Sequence, residues 1–517
     1  MEGIHTRFLL IDWVVLLGYL VLTTWIGHRL RGAQATMKDF FLAGRSLPWP
    51  AVSGSIVATE ISAITFVGVP GMVFAAGGNF TYLQWGIGSL IARVIVGVWF
   101  VKVFYERGIF SPYDYMQHRL GHGARALTTF LFFISSILGQ SVRLLVTALI
   151  LWTVTGLPFE WCIAIIGVFA VLWTLMGGMT TVIWTDVIQF FVFIGGGLLA
   201  LGIMIAQVDG GFGEIIKVAG DAGKLRLLDL SMNPDVQFTL WVGLLAMPFQ
   251  NLAAFGTDQL NAQRMFCCRS ASDASKAIIA SSISLVVTVL MMLVGAGLFV
   301  YYLQHPPDAA EASKFAQESD SVFPVWITTV LPPGLSGLIL AGAFAAAISS
   351  LDSALAALSQ TSLALVHSKK GIDSGNQKML IRHSRIAIVF WGITLIAVAI
   401  GLQAVRGQLN LLSLAFGMVS YTYGPMLGAF LLALSPVRRN IRGVIIGTVA
   451  SILLVLWVRP DIYNILAHFE VLSLEEAGAI RPKINFAWLY PVTCLITLAC
   501  GVLLGSKHIP EENAEGN

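Results

Sequence analysis

Long apolar stretches alternate with short polar ones along the whole chain. Thirteen apolar runs read as membrane-spanning helices, at about 8–28, 48–76, 80–101, 126–155, 159–177, 180–206, 238–257, 276–303, 334–366, 384–402, 408–434, 443–458 and 485–505. A helix needs about 20 apolar residues to cross a hydrocarbon layer ~30 Å thick. A membrane β-barrel would show alternating segments of about ten residues, a pattern absent here. The first run is too long for a signal peptide, lacks an A-x-A site and is followed by Arg29 and Arg31, so it reads as a retained helix. The pattern predicts an all-α polytopic membrane protein of about 13 transmembrane helices.

Composition agrees. Of 517 residues, 56% are hydrophobic and only 11% charged, against about 25% charged in soluble domains; the mean hydropathy is +0.80. This excludes a disordered chain, a disulfide scaffold and an ordinary soluble enzyme. The net charge of +3 gives no reason to expect nucleic acid as a partner. Cys162, Cys494 and Cys500 fall in apolar runs and Cys267–Cys268 in a basic loop, with no metal or disulfide spacing. Charge placement is more informative. Of the 31 Lys and Arg residues, twenty fall in loops on the side reached by the first helix and nine on the other, with Arg93 and Arg143 inside spans. Positive loops stay cytoplasmic, which predicts an outside N-terminus and a cytoplasmic C-terminus. The outside loops at about 207–237, 303–333 and 459–484 are too short for a soluble domain, and the polar tail 507–517 is expected to be disordered.

Charges in a hydrocarbon layer are costly and are functional candidates. Glu60, Arg93, Arg143, Asp186 and Asp352 lie well inside spans. The plainer reading is that such groups pair and hold helices together. Glu60 and Arg93, in helices joined by a short hairpin, are the best structural pair. All nine histidines lie outside the spans or at their ends, which argues against an intramembrane Ser–His enzyme or a zinc cluster.

Two spans look broken. SGSIVATEISAITFVGVPG (53–71) mixes Ser, Thr, Glu and Gly before Pro70–Gly71, and MPFQNLAAFGTDQ (247–259) holds Pro248, Asn251 and Gly256. Irregular backbone at membrane depth survives only when buried or lining a cavity. These are the first helices of two consecutive five-helix sets, and matched interruptions point to a transporter's site. The ninth span carries AGAFAAAISSLDSALAALSQTS (341–362). Its alanines suit close helix packing and its serines can simply back-bond to the preceding turn. Ser349, Ser350, Asp352 and Ser353 within five residues also suit a small hard cation with oxygen ligands, with Asp186 as a second carboxylate and sodium as the best fit.

At this point the chain resembles the sodium:solute symporter family, through DFFLAGR (39–45), ATEISAITF (58–66), MGGMTTVIWTDVIQ (176–189), GTDQLNAQR (256–264) and AAAISSLDS (345–353). The resemblance implies a LeuT-like core of two inverted five-helix repeats, here 48–206 and 238–434. Segment 1–47 precedes them, loop 207–237 joins them, and two further helices (435–506) and the tail 507–517 follow. It implies a sodium site made by the carbonyls of Ala58, Ile61 and Ala346 with the hydroxyls of Ser349 and Ser350. A second site would use Asp186, Ser349, Asp352 and Ser353, although sialic-acid members have Ser where this chain has Asp352. It implies a solute pocket at Ser62, Thr65, Phe80, Gln84 and Arg143, with Glu60 where those members have Thr.

The expected function is sodium-coupled symport of a small polar solute into the cytoplasm across the cell membrane by alternating access, with sodium as coupling ion, no other cofactor and no enzymatic activity. An Arg in a buried pocket favours a carboxylate, so a sugar acid or other carboxylate leads. Glu60 and Gln84 as acceptors keep a neutral sugar or polyol open, and an amino acid remains an alternative. A channel would show charge rings, and a transport-like sensor a signalling domain. The oligomeric state is left open.

Overall fold

The computed structural model describes residues 8–30, 36–109, 111–367, 376–405, 411–435, 440–473, 476 and 480–504. The tail 507–517, with Arg7, Arg31, Lys369, Lys370, Arg406, Arg438, Arg439 and Lys507 of the charge argument, lies outside them.

Among the described residues every named element is a helix. The principal ones are α1 (Leu10–Leu30), α2 (Trp49–Glu60), α3 (Ala63–Phe74), α4 (Phe80–Glu106), α5 (His122–Thr155), α6 (Phe159–Met176), α7 (Met179–Gln207), α8 (Met247–Leu252), α9 (Ala271–Gln304), α10 (Leu335–Val366), α11 (Gln377–Val405), α12 (Leu411–Val419), α13 (Tyr423–Leu434), α14 (Ile441–Val458) and α15 (Leu489–Leu503).

Eleven of these spans, counting α12 and α13 as one, are long and apolar enough to cross a membrane, and α2 with α3 makes a twelfth as one span bent by 55°. The thirteenth expected run, 238–257, does not reach that length and apolarity. It is wound as a π-turn (Val242–Ala246), α8 and a second π-turn (Ala253–Thr257), and Gln250 and Asn251 dilute its apolar content. Its interruption falls at Asp258, inside the expected segment 247–259, and not at Pro248. Pro248 sits in the first turn of α8, directly after a π-turn whose closing bond runs from Met247 N–H to the Val242 carbonyl. At this position a proline's missing N–H costs no helical bond. The chain leaves the helix only at Asp258, whose backbone is extended and whose carboxylate caps the next short helix, Gln259–Met265.

The core sits around α10, whose most apolar window is 94% buried. It packs against α7, α5, α11, α1 and α2. Its alanines and serines allow that crowding, as small residues do between membrane helices. Asp12 of α1 anchors its first turn: the buried carboxylate accepts from the N–H groups of Gly334 (2.7 Å) and Gly337 (2.8 Å). These are amides left open at a helix N-terminus. The outer helices α1, α6 and α11 remain mostly uncovered, at 22%, 39% and 33% buried, as lipid-facing helices must be.

Candidate cation and solute sites

The break between α2 and α3 organises both sites. After Glu60 the backbone turns extended at Ile61 (ψ 109°) and Ser62 (φ −121°, ψ −179°), and the Ser62 hydroxyl caps α3 by accepting from Ile64 N–H. A helix that stops at Glu60 leaves last-turn carbonyls without amides four residues on. Those carbonyls are available to a cation or to another side chain.

At the break, Ala58 and Ile61 line a small cavity together with Ala346 of α10 and Gln189, Phe190 and Phe193 of α7. One turn further along α10, Ser350 is fully buried and donates back to the carbonyls of Ala346 (3.0 Å) and Ala347 (3.1 Å). This is the plain back-bonding arrangement. The hydroxyl proton is thereby occupied while the oxygen can still accept; neither Ser349 nor Ser350 lines the cavity itself. Ser349 turns the other way and donates to Asp186 Oδ1 at 2.5 Å. No group of three or more His, Cys, Asp or Glu that could hold a metal ion occurs among the described residues.

The positions of the second expected cation site do come together, around a residue the sequence reading placed in a loop. Arg264 is 1% exposed. Its guanidinium donates to Asp186 Oδ2 (3.2 Å), Ser55 Oγ (2.9 Å), the Leu260 carbonyl (2.8 Å) and Ser353 Oγ. Ser55 Oγ in turn donates to Asp186 Oδ2 at 2.5 Å. Asp352 Oδ1 accepts from Ser353 Oγ at 3.1 Å, while Asp352 Oδ2 is buried without a hydrogen-bond partner. Two carboxylates against one guanidinium leave one formal negative charge in a dry cluster. The signal in the sequence was indirect: with Glu60 matched to Arg93, Asp186 and Asp352 lacked a cation, and GTDQLNAQR ends in one.

The break also borders a larger cavity of ≈ 180 Å³, lined among others by Thr59, Glu60, Ser62, Thr65, Gln140, Arg143, Gln250, Asn251, Asp258 and Tyr423. Glu60 and Arg93 form the pair expected from their hairpin. Arg93 is fully buried, donates also to Ser89, Ser281 and Ser284, and lies over the Phe255 ring. Arg143 Nη1 donates to the Thr59 carbonyl at 3.0 Å. Arg143 makes no ion pair within 4 Å among the described residues. Asp258, in the same wall and within electrostatic reach of Arg143, is held by the Tyr423 hydroxyl (2.8 Å) and the Leu260 N–H (2.8 Å).

Two expected solute residues, Phe80 and Gln84, are not in the cavity wall. Gln84 is engaged elsewhere: its amide donates to the carbonyls of Thr81 (3.2 Å) and Phe238 (3.0 Å) and accepts from Asp229 N–H (3.2 Å). It ties α4 to the loop before α8, and its Oε1 keeps one acceptor position. Gln140 and Gln250 were missed. Both are buried in the wall, each with its Oε1 lacking a partner. Gln140 shares a polar stripe with Ser136 and Arg143 at helical spacing, which was legible in the sequence. The side lined by Tyr82, Trp85 and Phe416 is closed by rings: Trp85 packs against Tyr82, Phe238, Phe416 and Phe486 at centroid distances of 5.0–6.2 Å.

A sequence model of the sodium:solute symporter family matches residues 40–451. The chain is 30% identical over 463 residues to human sodium-coupled monocarboxylate transporter 1, covering 88% of this chain and 74% of that protein. It is 30% identical over 447 residues to the sodium/glucose cotransporter of Vibrio parahaemolyticus (83% and 80% covered). To the sodium/sialic acid symporter of Proteus mirabilis (strain HI4320) it is 27% identical over 453 residues (87% and 89% covered). A solved structure of a Na+-coupled sialic acid symporter, substrate-bound and outward-open, superimposes with a TM-score of 0.81 at 25% identity, covering 96% of this chain and 98% of that one. The fold is thus LeuT-like and the activity transport rather than catalysis. This chain, a multi-pass plasma-membrane protein that couples sodium to the movement of a small solute, belongs to the sodium:solute symporter family.

Proposed function

We propose that the solute is a small organic carboxylate, carried inward with sodium by alternating access. The observation that carries this reading is the division of charges around the cavity. Glu60, the carboxylate that would repel an anion, is paired with Arg93, and Arg143, hydrogen-bonded only to a backbone carbonyl, keeps donors for a solute although Asp258 of the same wall lies within its electrostatic reach. A guanidinium with spare donors recognises a carboxylate by paired charge-assisted bonds. The volume of ≈ 180 Å³ is somewhat larger than the ~150 Å³ that holds benzene, which favours a compact solute. The relatives include a monocarboxylate transporter and a sialic acid symporter. A neutral polyol is the second reading, favoured by the unpartnered oxygens of Gln140 and Gln250.

The ion site in this proposal is formed by the carbonyls of Ala58, Ile61 and Ala346 with Ser349 and Ser350. Asp186, Ser349, Asp352 and Ser353 supply a second monovalent position beside Arg264. Repeats 48–206 and 238–434 move against each other, with the N-terminus outside and the C-terminus cytoplasmic. Sodium entering down the membrane potential contributes about 2.3 kcal/mol per charge per 100 mV. Consecutive residues of one break serve both sites, so the ion and the solute order the same backbone and favour each other, typically by about 1–3 kcal/mol.

The test is uptake into proteoliposomes under an inward sodium gradient. Small carboxylates should accumulate and compete with one another, and their methyl esters should not. Accumulation of neutral sugars that carboxylates fail to inhibit would overturn the reading.

A further inference from the structure

Away from both sites, the N-terminal half of α11 carries a groove that neither the ion nor the solute uses. Its wall is Arg382, Arg385, Ile386, Val389, Phe390 and Ile393, closed on the far side by Leu175 of α6. These α11 positions recur at helical spacing, so they form one stripe along a single face. Arg382 and Arg385 are exposed and form neither a hydrogen bond nor an ion pair among the described residues. Ile386, Phe390 and Ile393 are 58–64% exposed.

The groove has a local cause. Deeper in the membrane α6 and α11 are in close contact: a Cβ on Gly392 would lie 2.1 Å from Val171, and one on Gly167 would lie 2.4 Å from Ile396. That antiparallel register sets Leu175 near Ile388, and α6 ends at Met176, short of the arginines. The two helices therefore meet along their middles and leave a cleft at this end, with two guanidiniums at its mouth.

We propose that this cleft binds an anionic phospholipid from the leaflet on the Arg382 side. The phosphate sits between Arg382 and Arg385, and an acyl chain lies along Ile386, Phe390 and Ile393. Charge and length both fit. Guanidinium groups match phosphate oxygens bidentately, and basic pockets between helices on the cytoplasmic side suit anionic headgroups. From Arg385 to Ile393 the helix rises about 12 Å, close to the ~15 Å half-thickness of a hydrocarbon layer. A zwitterionic lipid fills the apolar stripe equally well but brings a choline cation to the arginines.

The experiment is native mass spectrometry of the purified full chain in neutral detergent, titrated with phosphatidylglycerol or with phosphatidylcholine. At about 1 kcal/mol, or fivefold, per basic residue near an anionic surface, the protein should prefer phosphatidylglycerol by about 30-fold. The double variant Arg382→Gln/Arg385→Gln should bind both lipids alike while keeping sodium-dependent uptake in phosphatidylcholine vesicles. Equal binding of the two lipids by the unaltered protein, or an unchanged preference in the double variant, overturns the proposal and leaves two arginines that merely extend to the interface. Excess inorganic phosphate should not displace phosphatidylglycerol; displacement would assign the arginines to a soluble anion instead.

Discussion

Arg143 on α5 donates to the carbonyl of Thr59 at 3.0 Å, in the last turn of α2 before the break. One residue earlier, Ala58 lines the cavity on the α10 side, and one residue later Glu60 is held by Arg93. The broken turn is thereby tied to Arg143, a wall residue of the larger cavity, and borders the smaller cavity through Ala58.

Removing the cation should therefore show in affinity for the solute. Arg143→Gln is expected to raise the KM for a carboxylate solute by roughly 10- to 150-fold, the range for losing a charged hydrogen bond of about 1.5–3 kcal/mol. Arg143→Lys should recover only part, because an ammonium lacks the planar fork. Uptake kinetics in proteoliposomes check this; an unchanged KM would remove Arg143 from the site.

Breaking the Glu60–Arg93 pair should destabilise the protein, whichever partner goes. Each single change, Glu60→Gln or Arg93→Gln, leaves one charge unmatched, a loss of about 3–5 kcal/mol for a fully buried pair and less here because Glu60 is 32% exposed. The double variant should be more stable than either single one. Melting temperatures in detergent measure the cycle, and additive losses would mean that the two residues act independently.

Much of this arrangement was legible in the sequence, for identifiable reasons. A short polar run with Ser62 ahead of an apolar stretch is a helix restart, and Glu60 and Arg93 sit on neighbouring helices of a hairpin, so local spacing sufficed. Arg264 was not legible in that way. It follows the seventh apolar run and counts as a loop residue by position, yet the chain folds it back to reach Asp186, 78 residues away. The partners of Gln84 were illegible for the same reason, since Phe238 and Asp229 lie 154 and 145 residues off. Pro248 suggested an interruption because proline removes a helical hydrogen bond, and nothing in the sequence announces the π-turn that precedes it.

The Arg264 cluster gives a third prediction. Arg264→Gln leaves Asp186 and Asp352 facing each other without their cation and should lower the melting temperature strongly, by the ~3–5 kcal/mol of an unmatched buried charge. Arg264→Gln combined with Asp352→Asn should restore part of the loss. If the second change brings no recovery, Asp352 is not electrostatically linked to Arg264.

Ser350 separates the ion site from the fold. Ser350→Ala deletes one hydroxyl ligand and should raise the sodium concentration for half-maximal uptake at least tenfold, whereas Ser350→Thr keeps the oxygen and should stay near the unaltered value. Sodium-activation curves with matched expression decide it. Equal curves for Ala and Thr would exclude the hydroxyl as a ligand.

The most direct test of the shared break is the affinity of the purified protein for its solute, by isothermal titration, in sodium and in potassium. The account predicts binding tighter in sodium by about 5- to 150-fold, with sodium tightened by the same factor when solute is present, and both factors collapsing towards one in Ser350→Ala. Solute affinity that is identical in sodium and potassium would contradict it.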